Sequence, residues 1–235
     1  MKRVLILILF FYPIFSITAQ NLQLHYDFGK DRKYPTSTFE YFNADKYGST
    51  FLFVDMDYNA GDVKGVSSAY WEVARSLSFW KGPLAAHIEY NGGFLQWKQD
   101  SMGGALQIED AWLAGAEYIY NDESFTKGVT LQLLYKYIRN KHDASFQITG
   151  VWYLNFLKNK MTFSGFADFW REDNMFAMDN LISETKYVFM TEPQLWYNFT
   201  RNFSLGSELE LSNNFAGVKG FQANPTLGVK WTFAQ

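Results

Sequence analysis

Cysteine is absent from the 235 residues of the sequence. Disulfide-stapled scaffolds and thiolate metal sites are therefore excluded, because both need cysteine side chains. Histidine is scarce, with 3 residues, and no cluster at metal-ligand spacing accompanies them, so we expect neither a metal site nor a cofactor. After residue 17, no stretch is apolar enough to form a transmembrane helix, which excludes a bundle of membrane-spanning helices.

Basic residues are also outnumbered in this chain. It has 21 Lys and Arg against 24 Asp and Glu. Without Lys2 and Arg3, the remaining 19 basic residues leave a net charge of −5. A chain with this acidic balance lacks the basic surface that binds a nucleic acid polymer, so we exclude that class of partner.

The N-terminal segment MKRVLILILFFYPIFSITAQ has the layout of a secretory signal peptide. A basic start is followed by an apolar run, residues 4–17, and then by the small residue Ala19. An uncleaved membrane anchor would need roughly 20 apolar residues, more than this run provides. We therefore expect residues 1–19 to be removed, which leaves residues 20–235 as one mature domain.

Aromatic residues make up 20% of the chain, whereas the mean hydropathy is slightly negative at −0.21. A signal peptide, many aromatic residues and middling hydropathy are together typical of an outer-membrane β-barrel. The mature chain also divides throughout into segments of about ten residues with alternating apolar and polar side chains. The alternation predicts twelve strands: 21–29, 36–44, 48–58, 67–80, 84–97, 106–120, 127–138, 144–154, 160–170, 185–198, 202–212 and 224–234.

The connections between the predicted strands alternate in length along most of the chain. The short ones are 44–47, 81–83, 155–159 and 199–201, and the longer ones are 59–66, 98–105, 171–184 and 213–222. Outer-membrane barrels have short periplasmic turns and longer outer loops. The sequence therefore predicts an all-β fold: a transmembrane, antiparallel, up-and-down barrel of about 12 strands in the bacterial outer membrane, surrounded by its lipid.

The stretch GSTFLFVDMDYN, residues 48–59, shows how a predicted strand divides between two faces. One face is apolar throughout and suits lipid: Leu52, Val54, Met56 and Tyr58. The other face mixes rings and carboxylates and would line the lumen: Phe51, Phe53, Asp55 and Asp57. Alternation elsewhere turns further charged residues inward: Glu40, Glu72, Glu89, Glu109, Glu117, Asp168, Glu192, Glu208, Glu210, Lys136, Lys186 and Lys230. This excess of carboxylates would disfavour anions.

Aromatic residues are also expected inside the barrel, where Phe166 and Trp170 flank Asp168. Rings interleaved with carboxylates suit a flat solute with polar edges, because rings stack on any π-face and carboxylates accept hydrogen bonds. The residues leave a second interpretation open. The rings would then only fill a small barrel, and the charges would pair in salt bridges that plug it.

Three stretches resemble the Tsx-type nucleoside-specific channels of bacterial outer membranes. They are the hairpin 38–55 with its aromatic-x-aromatic-x-Asp ending, the segment EVARS at 72–76 and the segment GFADFW at 165–170. The resemblance implies a monomeric barrel with a narrow pore that passes nucleosides without energy input. It also implies solute-contacting roles for the matching residues: Phe51, Phe53, Asp55, Glu72, Arg75, Phe166, Asp168 and Trp170. The alternation in strand 48–58 adds Asp57 to this set.

Two other functions remain open from the sequence. A hydrolase active at the barrel rim would need a nucleophile beside a histidine base, and His87 with Glu89 on the same face could be a base and its orienting group. No motif marks a nucleophile for this pair, so we predict no catalytic residue and no enzyme. A closed structural or adhesin barrel would act through its outer loops and would need no pore.

Overall fold

The computed structural model describes residues 17–141, 145–178 and 181–234. Residues 1–16, most of the expected signal peptide, lie outside the described residues, and cleavage after Ala19 stays a prediction. Some side chains inside the described ranges are also not described: 17–18, 174–178, 181–183, 185–186 and 234. The inward position predicted for Lys186 falls among them.

The described residues form thirteen antiparallel strand segments that close into a barrel. They are β1 (Ile17–Asp27), β2 (Pro35–Asp45), β3 (Gly48–Tyr58), β4 (Val66–Leu77), β5 (Leu84–Gln99), β6 (Met102–Asn121), β7 (Lys127–Ile138), β8 (Ser145–Phe156), β9 (Met161–Met178), β10 (Leu181–Thr191), β11 (Gln194–Asn198), β12 (Phe203–Asn213) and β13 (Phe221–Ala234). From β1 to β9 each strand pairs with the next, and β1 also pairs with β13. Both β10 and β11 pair with β9 and β12, so they are two halves of one barrel strand. The predicted twelve-stranded antiparallel barrel is confirmed.

The tenth barrel strand is interrupted at Glu192 and Pro193, where the sequence predicted a continuous strand 185–198. Proline lacks the N–H group that a strand ladder needs, so regular pairing stops there. The neighbouring strand accommodates the break at Gly165, which has a φ of 155°. A Cβ atom at this position would lie 2.4 Å from the carbonyl oxygen of Glu192, so glycine is required.

The outer face of the barrel is apolar. Large apolar side chains are exposed along it, as Leu131 and Leu133 are on β7. Such a surface is unfavourable in water, whereas in a bilayer it contacts lipid chains. Closure of the sheet lets the backbone N–H and C=O groups of neighbouring strands pair with one another, because lipid chains offer them no hydrogen-bond partners. Among the described residues, no helix is long and apolar enough to cross a membrane.

The two ends of the barrel carry different connections. The turn end has the connections 46–47, 78–83, 122–126, 157–160 and 199–202, and the loop end has the loops 28–34, 59–65 and 214–220. The predicted long loops 98–105 and 171–184 are wrong. β5 and β6 instead continue to a two-residue turn, and β9 and β10 continue to Met178 and Leu181. Residues of the predicted loop 98–105 are paired in the ladder, as Gly104 is with Trp97.

The turn 122–126, which is long for a periplasmic connection, is organised by Asp122. Its carboxylate accepts hydrogen bonds from the hydroxyls of Ser124 (2.6 Å) and Thr126 (2.7 Å) and from the backbone N–H of Lys127 (2.8 Å). These donors, the Ser124 hydroxyl above all, hold the pKa of Asp122 well below its usual range. A side chain that bonds to the following residues stabilises a turn locally, so five residues suffice without further packing.

Candidate solute-binding lumen

The register of β3 places Phe51, Phe53, Asp55 and Asp57 on the inside of the barrel. Cross-strand partners share a face, and the partners of this row on β4 are Ala74, Glu72, Tyr70 and Ser68. On the other side, Phe53 is paired with Glu40 of β2. Phe53 therefore lies between two inward carboxylates.

Three rings on this wall form the inner aromatic row, which we define as Phe51, Phe53 and Tyr70. The ring centroid of Phe53 lies 5.9 Å from that of Phe51 and 6.0 Å from that of Tyr70. All three residues are half-buried, so part of their surface stays accessible inside the barrel. The Tyr70 hydroxyl donates to Glu72 Oε1 at 2.7 Å. The row is thus a ring surface with an acceptor at its edge.

Two polar residues of β5 lie next to Glu72. Asn91 is its cross-strand partner, and Glu89 lies two residues along the same face. They are 4% and 6% exposed, respectively. The Oδ1 atom of Asn91 and the Oε1 atom of Glu89 accept no hydrogen bond. We call Glu72, Glu89 and Asn91 the acceptor group, which adjoins the inner aromatic row.

Phe166 and Asp168 face inward from β9, across the barrel from β4. The cross-strand partner of Asp168 is Thr149, whose hydroxyl donates to Asp168 Oδ1 at 2.5 Å. β9 and β4 lie on opposite sides of the closed sheet, so Asp168 and Glu72 face the same lumen. Phe166 is half-buried, as the inner aromatic row is. The structure therefore brings the residues predicted on β3, β4 and β9 into one lumen.

Trp170, which the sequence placed among the solute contacts, is part of the packed wall. Its residue surface is 7% exposed. Its indole Nε1 donates to Glu172 Oε2 at 2.9 Å, and the Lys136 ammonium lies 4.5 Å from the ring centroid. With its ring covered, Trp170 offers no free face on which a solute could stack.

Arg75 lies on the outer face, which corrects its predicted place in the lumen. Its cross-strand partner Ile88 is an exposed residue of the lipid-facing surface. The guanidinium donates to Thr50 Oγ1 and to Asp45 Oδ1, both at 2.9 Å. Strand residues alternate between faces, so Arg75 cannot share the face of Glu72, three positions away.

Glu109 is likewise not in the lumen. It is exposed, and both of its carboxylate oxygens accept hydrogen bonds from Asn140, at 3.0 and 3.2 Å. The register between β5 and β6 shifts between Asn91 and Gly93. This irregularity changes the face of the β6 residues that precede Ala111, so strict alternation gave the wrong side for Glu109.

Four buried residues form a hydrogen-bonded network: Ser76, His87, Glu89 and Glu117. His87 Nδ1 lies 2.9 Å from Glu117 Oε2, and its Nε2 lies 3.0 Å from Glu89 Oε2. The Ser76 hydroxyl donates to Glu117 rather than to His87. A serine nucleophile needs a histidine base within hydrogen-bond reach, so this arrangement does not supply the rim-hydrolase site that the sequence left open.

Sequence reasoning missed the cluster around Arg32 at the loop end. Loop 28–34 carries Arg32 to Glu210, with which it makes two hydrogen bonds of 2.6 and 3.0 Å, and to within 3.5 Å of Asp27. Burial would lower the pKa of Arg32, but the facing carboxylate of Glu210 raises it above its usual value. Burial raises the pKa of Tyr34, in the same loop, to about 12. In the sequence, the signal for this cluster is the excess of inward carboxylates, which favours a cation that turns inward from a loop.

Carboxylates outnumber cations on the described inward face. The carboxylates are Asp27, Glu40, Asp55, Asp57, Glu72, Glu89, Glu117, Asp168, Glu192, Glu208 and Glu210. The Lys and Arg residues are Arg32, Lys136 and Lys230. Within the described part of the chain, no group of three or more acidic or histidine side chains is placed to hold a metal ion. The lumen is therefore acidic and rich in hydrogen-bond acceptors.

A solved porin structure shares this fold. The NanC porin superimposes with a TM-score of 0.58 at 10% identity, covering 92% of this chain and 100% of that chain. Omp33 of Acinetobacter baumannii matches with a TM-score of 0.44 at 13% identity, over 93% of this chain and 98% of that chain. OprB of Pseudomonas putida matches with a TM-score of 0.44 at 10% identity, over 85% and 59%. No curated protein sequence matches the chain.

A porin-like barrel with an apolar outer face belongs in the bacterial outer membrane, as the sequence predicted. The family described as "Domain of unknown function (DUF5020)" matches residues 19–233. This match spans the whole barrel from β1 to β13. The chain therefore belongs to the DUF5020 family.

Proposed function

We propose that the barrel is a passive channel that takes small, flat, polar solutes of the nucleoside type across the outer membrane. The inner aromatic row carries this proposal, because its rings lie inside a barrel and yet keep accessible surface. Rings that only fill space are buried, as Trp196 is at 0% exposure. A half-exposed row is a surface on which a flat solute can stack.

Carboxylates supply the polar half of the proposed site. Asp55 and Glu72 lie beside the inner aromatic row, and Asp168 faces them from the other wall. Ionised carboxylates accept hydrogen bonds from hydroxyl and amino groups. Their excess in the lumen disfavours anions. A neutral flat ring that carries hydroxyl or amino groups suits both features.

Two further observations support the same solute class and assembly. The hairpin 38–55 and the segment 165–170 resemble stretches of the Tsx-type channels, and Phe53 and Phe166 of these stretches are half-buried in the lumen. A closed barrel leaves no strand edge that needs a partner chain, so we propose a monomer. The acidic lumen then forms one pathway per chain.

Conductance measurements test the proposal. Purified protein in planar lipid bilayers should conduct ions, and millimolar adenosine should reduce the current reversibly. A barrel that never conducts would be the closed structural barrel that the sequence left open. A barrel that conducts, but whose current no nucleoside reduces, would rule out the nucleoside class.

Phe53→Leu tests the stacking surface directly. A leucine side chain offers no flat ring, so block by adenosine should weaken at least about fivefold, the factor for losing roughly 1 kcal/mol of stacking. Val54→Leu is the matched control, because Val54 is the next residue and lies on the lipid-facing side. Adenosine should block the Val54→Leu channel at the same concentration as the wild-type channel. Equal block in both variants would contradict a stacking role for Phe53.

A further inference from the structure

Three buried oxygen atoms on the inner wall have no hydrogen-bond donor: Asp55 Oδ1, Glu89 Oε1 and Asn91 Oδ1. Buried polar groups are almost always paired, and an unpaired one is destabilising. All three atoms are acceptors, and all lie close to the inner aromatic row. Phe53, Glu72 and Asn91 follow one another in a single cross-strand row, and Asp55 lies two residues from Phe53.

The donors near these oxygens point to other acceptors. The Tyr70 hydroxyl donates to Glu72 at 2.7 Å, and the Lys136 ammonium donates to Gln147 at 2.7 Å. Both ring nitrogens of His87 contact carboxylates. The described part of the chain therefore places no donor on the free oxygens, and a ligand can supply one.

The charges around these oxygens restrict the kind of donor. Glu72 and Glu89 lie on neighbouring strands of this wall, and Asp168 faces the same lumen from β9. An anionic ligand would add to this negative charge and is disfavoured. No described group of acidic side chains is arranged to hold a bare metal ion. An organic molecule that carries N–H or O–H donors fits these oxygens, and an amino group supplies two donors where a hydroxyl supplies one.

We infer that the acceptor group recognises an amino group on the edge of a flat solute that stacks on the inner aromatic row. The inference rests on the proposed channel function and narrows its substrates to bases that carry an amino group. Such a group brings two N–H donors to the oxygens of Glu89 and Asn91. An oxo group at the same position brings an acceptor, and the one ring N–H beside it can pair with only one of the two oxygens, so a site built for two N–H donors disfavours such analogues.

Matched nucleosides test the inference, because adenosine and cytidine carry an amino group where inosine and uridine carry an oxo group with one ring N–H beside it. Adenosine and cytidine should block the wild-type current at concentrations about 10- to 100-fold lower than their oxo partners, as expected for a hydrogen bond to a charged acceptor. Equal block within each pair would overturn the inference and leave the proposed channel intact. Absence of block by all four would overturn the proposed function, and the inference with it.

Substitutions at Asn91 assign the preference to the acceptor group. Asn91→Leu removes the acceptor oxygen, so adenosine and inosine should block the variant at nearly equal concentrations. Asn91→Asp keeps an acceptor oxygen at this position and should keep the preference for adenosine. Folding is checked by the shift in gel mobility of the unheated barrel. If Asn91→Leu does not fold, Glu89→Gln tests the same preference, because glutamine replaces one of the two acceptor oxygens of Glu89 with an NH2 donor. A preference for adenosine that is unchanged in the folded Asn91→Leu or Glu89→Gln variant would overturn the assignment.

Discussion

Phe53 and Trp196 both project into the barrel, yet their surroundings differ. Trp196 is 0% exposed, the ring of His25 packs edge-on at 5.5 Å, and the ammonium of Lys230 lies 4.1 Å from its ring centroid. The ring of Phe53 lies 5.9 and 6.0 Å from the rings of Phe51 and Tyr70, and Phe53 remains half-buried. A position inside the barrel therefore does not determine whether a ring packs or stays available to a solute.

The cross-strand partners of the two rings explain the difference. Trp196 faces Gly206, which has no side chain, so the indole can lie flat over the backbone. Phe53 lies between Glu40 and Glu72, and burying carboxylates under a ring would remove their water. Glycine opposite a ring favours packing, whereas carboxylates beside a ring keep its surroundings wet. One lumen thus contains a packed side and an accessible side.

Trp196→Ala should have the largest effect on stability. Removing a fully buried tryptophan costs about 3–5 kcal/mol. Phe53→Ala should cost less than about 2 kcal/mol, because part of this ring is already exposed. Urea unfolding of the barrel in lipid vesicles, followed by far-UV circular dichroism, measures both changes. A loss for Phe53→Ala as large as that for Trp196→Ala would mean that both rings are packing residues.

The fold could be predicted from the sequence because lipid imposes a strict rule on every strand. Each second side chain faces the bilayer and must be apolar, so alternation reveals strand number, faces and closure. The rule ends where the strands leave the membrane. β5 and β6 continue beyond it without alternation, which is why 98–105 was predicted as a loop. The irregularity near Asn91, which misplaced Glu109, has no signature in the alternation either.

The chemistry of the site could be predicted, but its pairing could not. Rings and carboxylates inside the barrel follow from the alternation in β3. Which carboxylates find donors depends on strands and loops that are distant in sequence, as in the pair of Arg32 and Glu210, which are 178 positions apart. Arg75 shows a different limit, because its place in a motif suggested the lumen while its strand position turns it outward.

Gly206→Ala should have an intermediate effect. A Cβ atom at Gly206 would lie 2.4 Å from Trp196 Cε3 and 2.5 Å from the carbonyl oxygen of Leu195, so the packed side would have to shift. Overpacking of this kind costs about 1–3 kcal/mol. Gly150→Ala is the matched control, since its Cβ would meet only Leu131 Cδ2 at 3.7 Å. It should be neutral or stabilising by up to about 1 kcal/mol in the same unfolding assay. If both variants changed the free energy of unfolding equally, Trp196 would be able to move aside without loss of stability.

Introduced cysteines should have the smallest effect on stability and give the sharpest view of the two sides. The chain lacks cysteine, so a single thiol is unique. Val151 is 39% exposed and is the cross-strand partner of Phe166, whereas Ser212 is 0% exposed. Val151→Cys should change stability by less than about 1 kcal/mol and react with a water-soluble methanethiosulfonate in the folded barrel.

Ser212→Cys should react with the same reagent only after the barrel is unfolded in urea. The reagent needs an ionised, accessible thiol, and a thiol at a fully buried position is shielded from it. Mass spectrometry of both variants, before and after unfolding, gives the labelled fraction. If the folded Ser212→Cys barrel were labelled as fast as Val151→Cys, reagent would reach the packed side as well. Burial would then not mark a part of the lumen that a solute cannot reach, and the contrast between Trp196 and Phe53 would not predict where a solute binds.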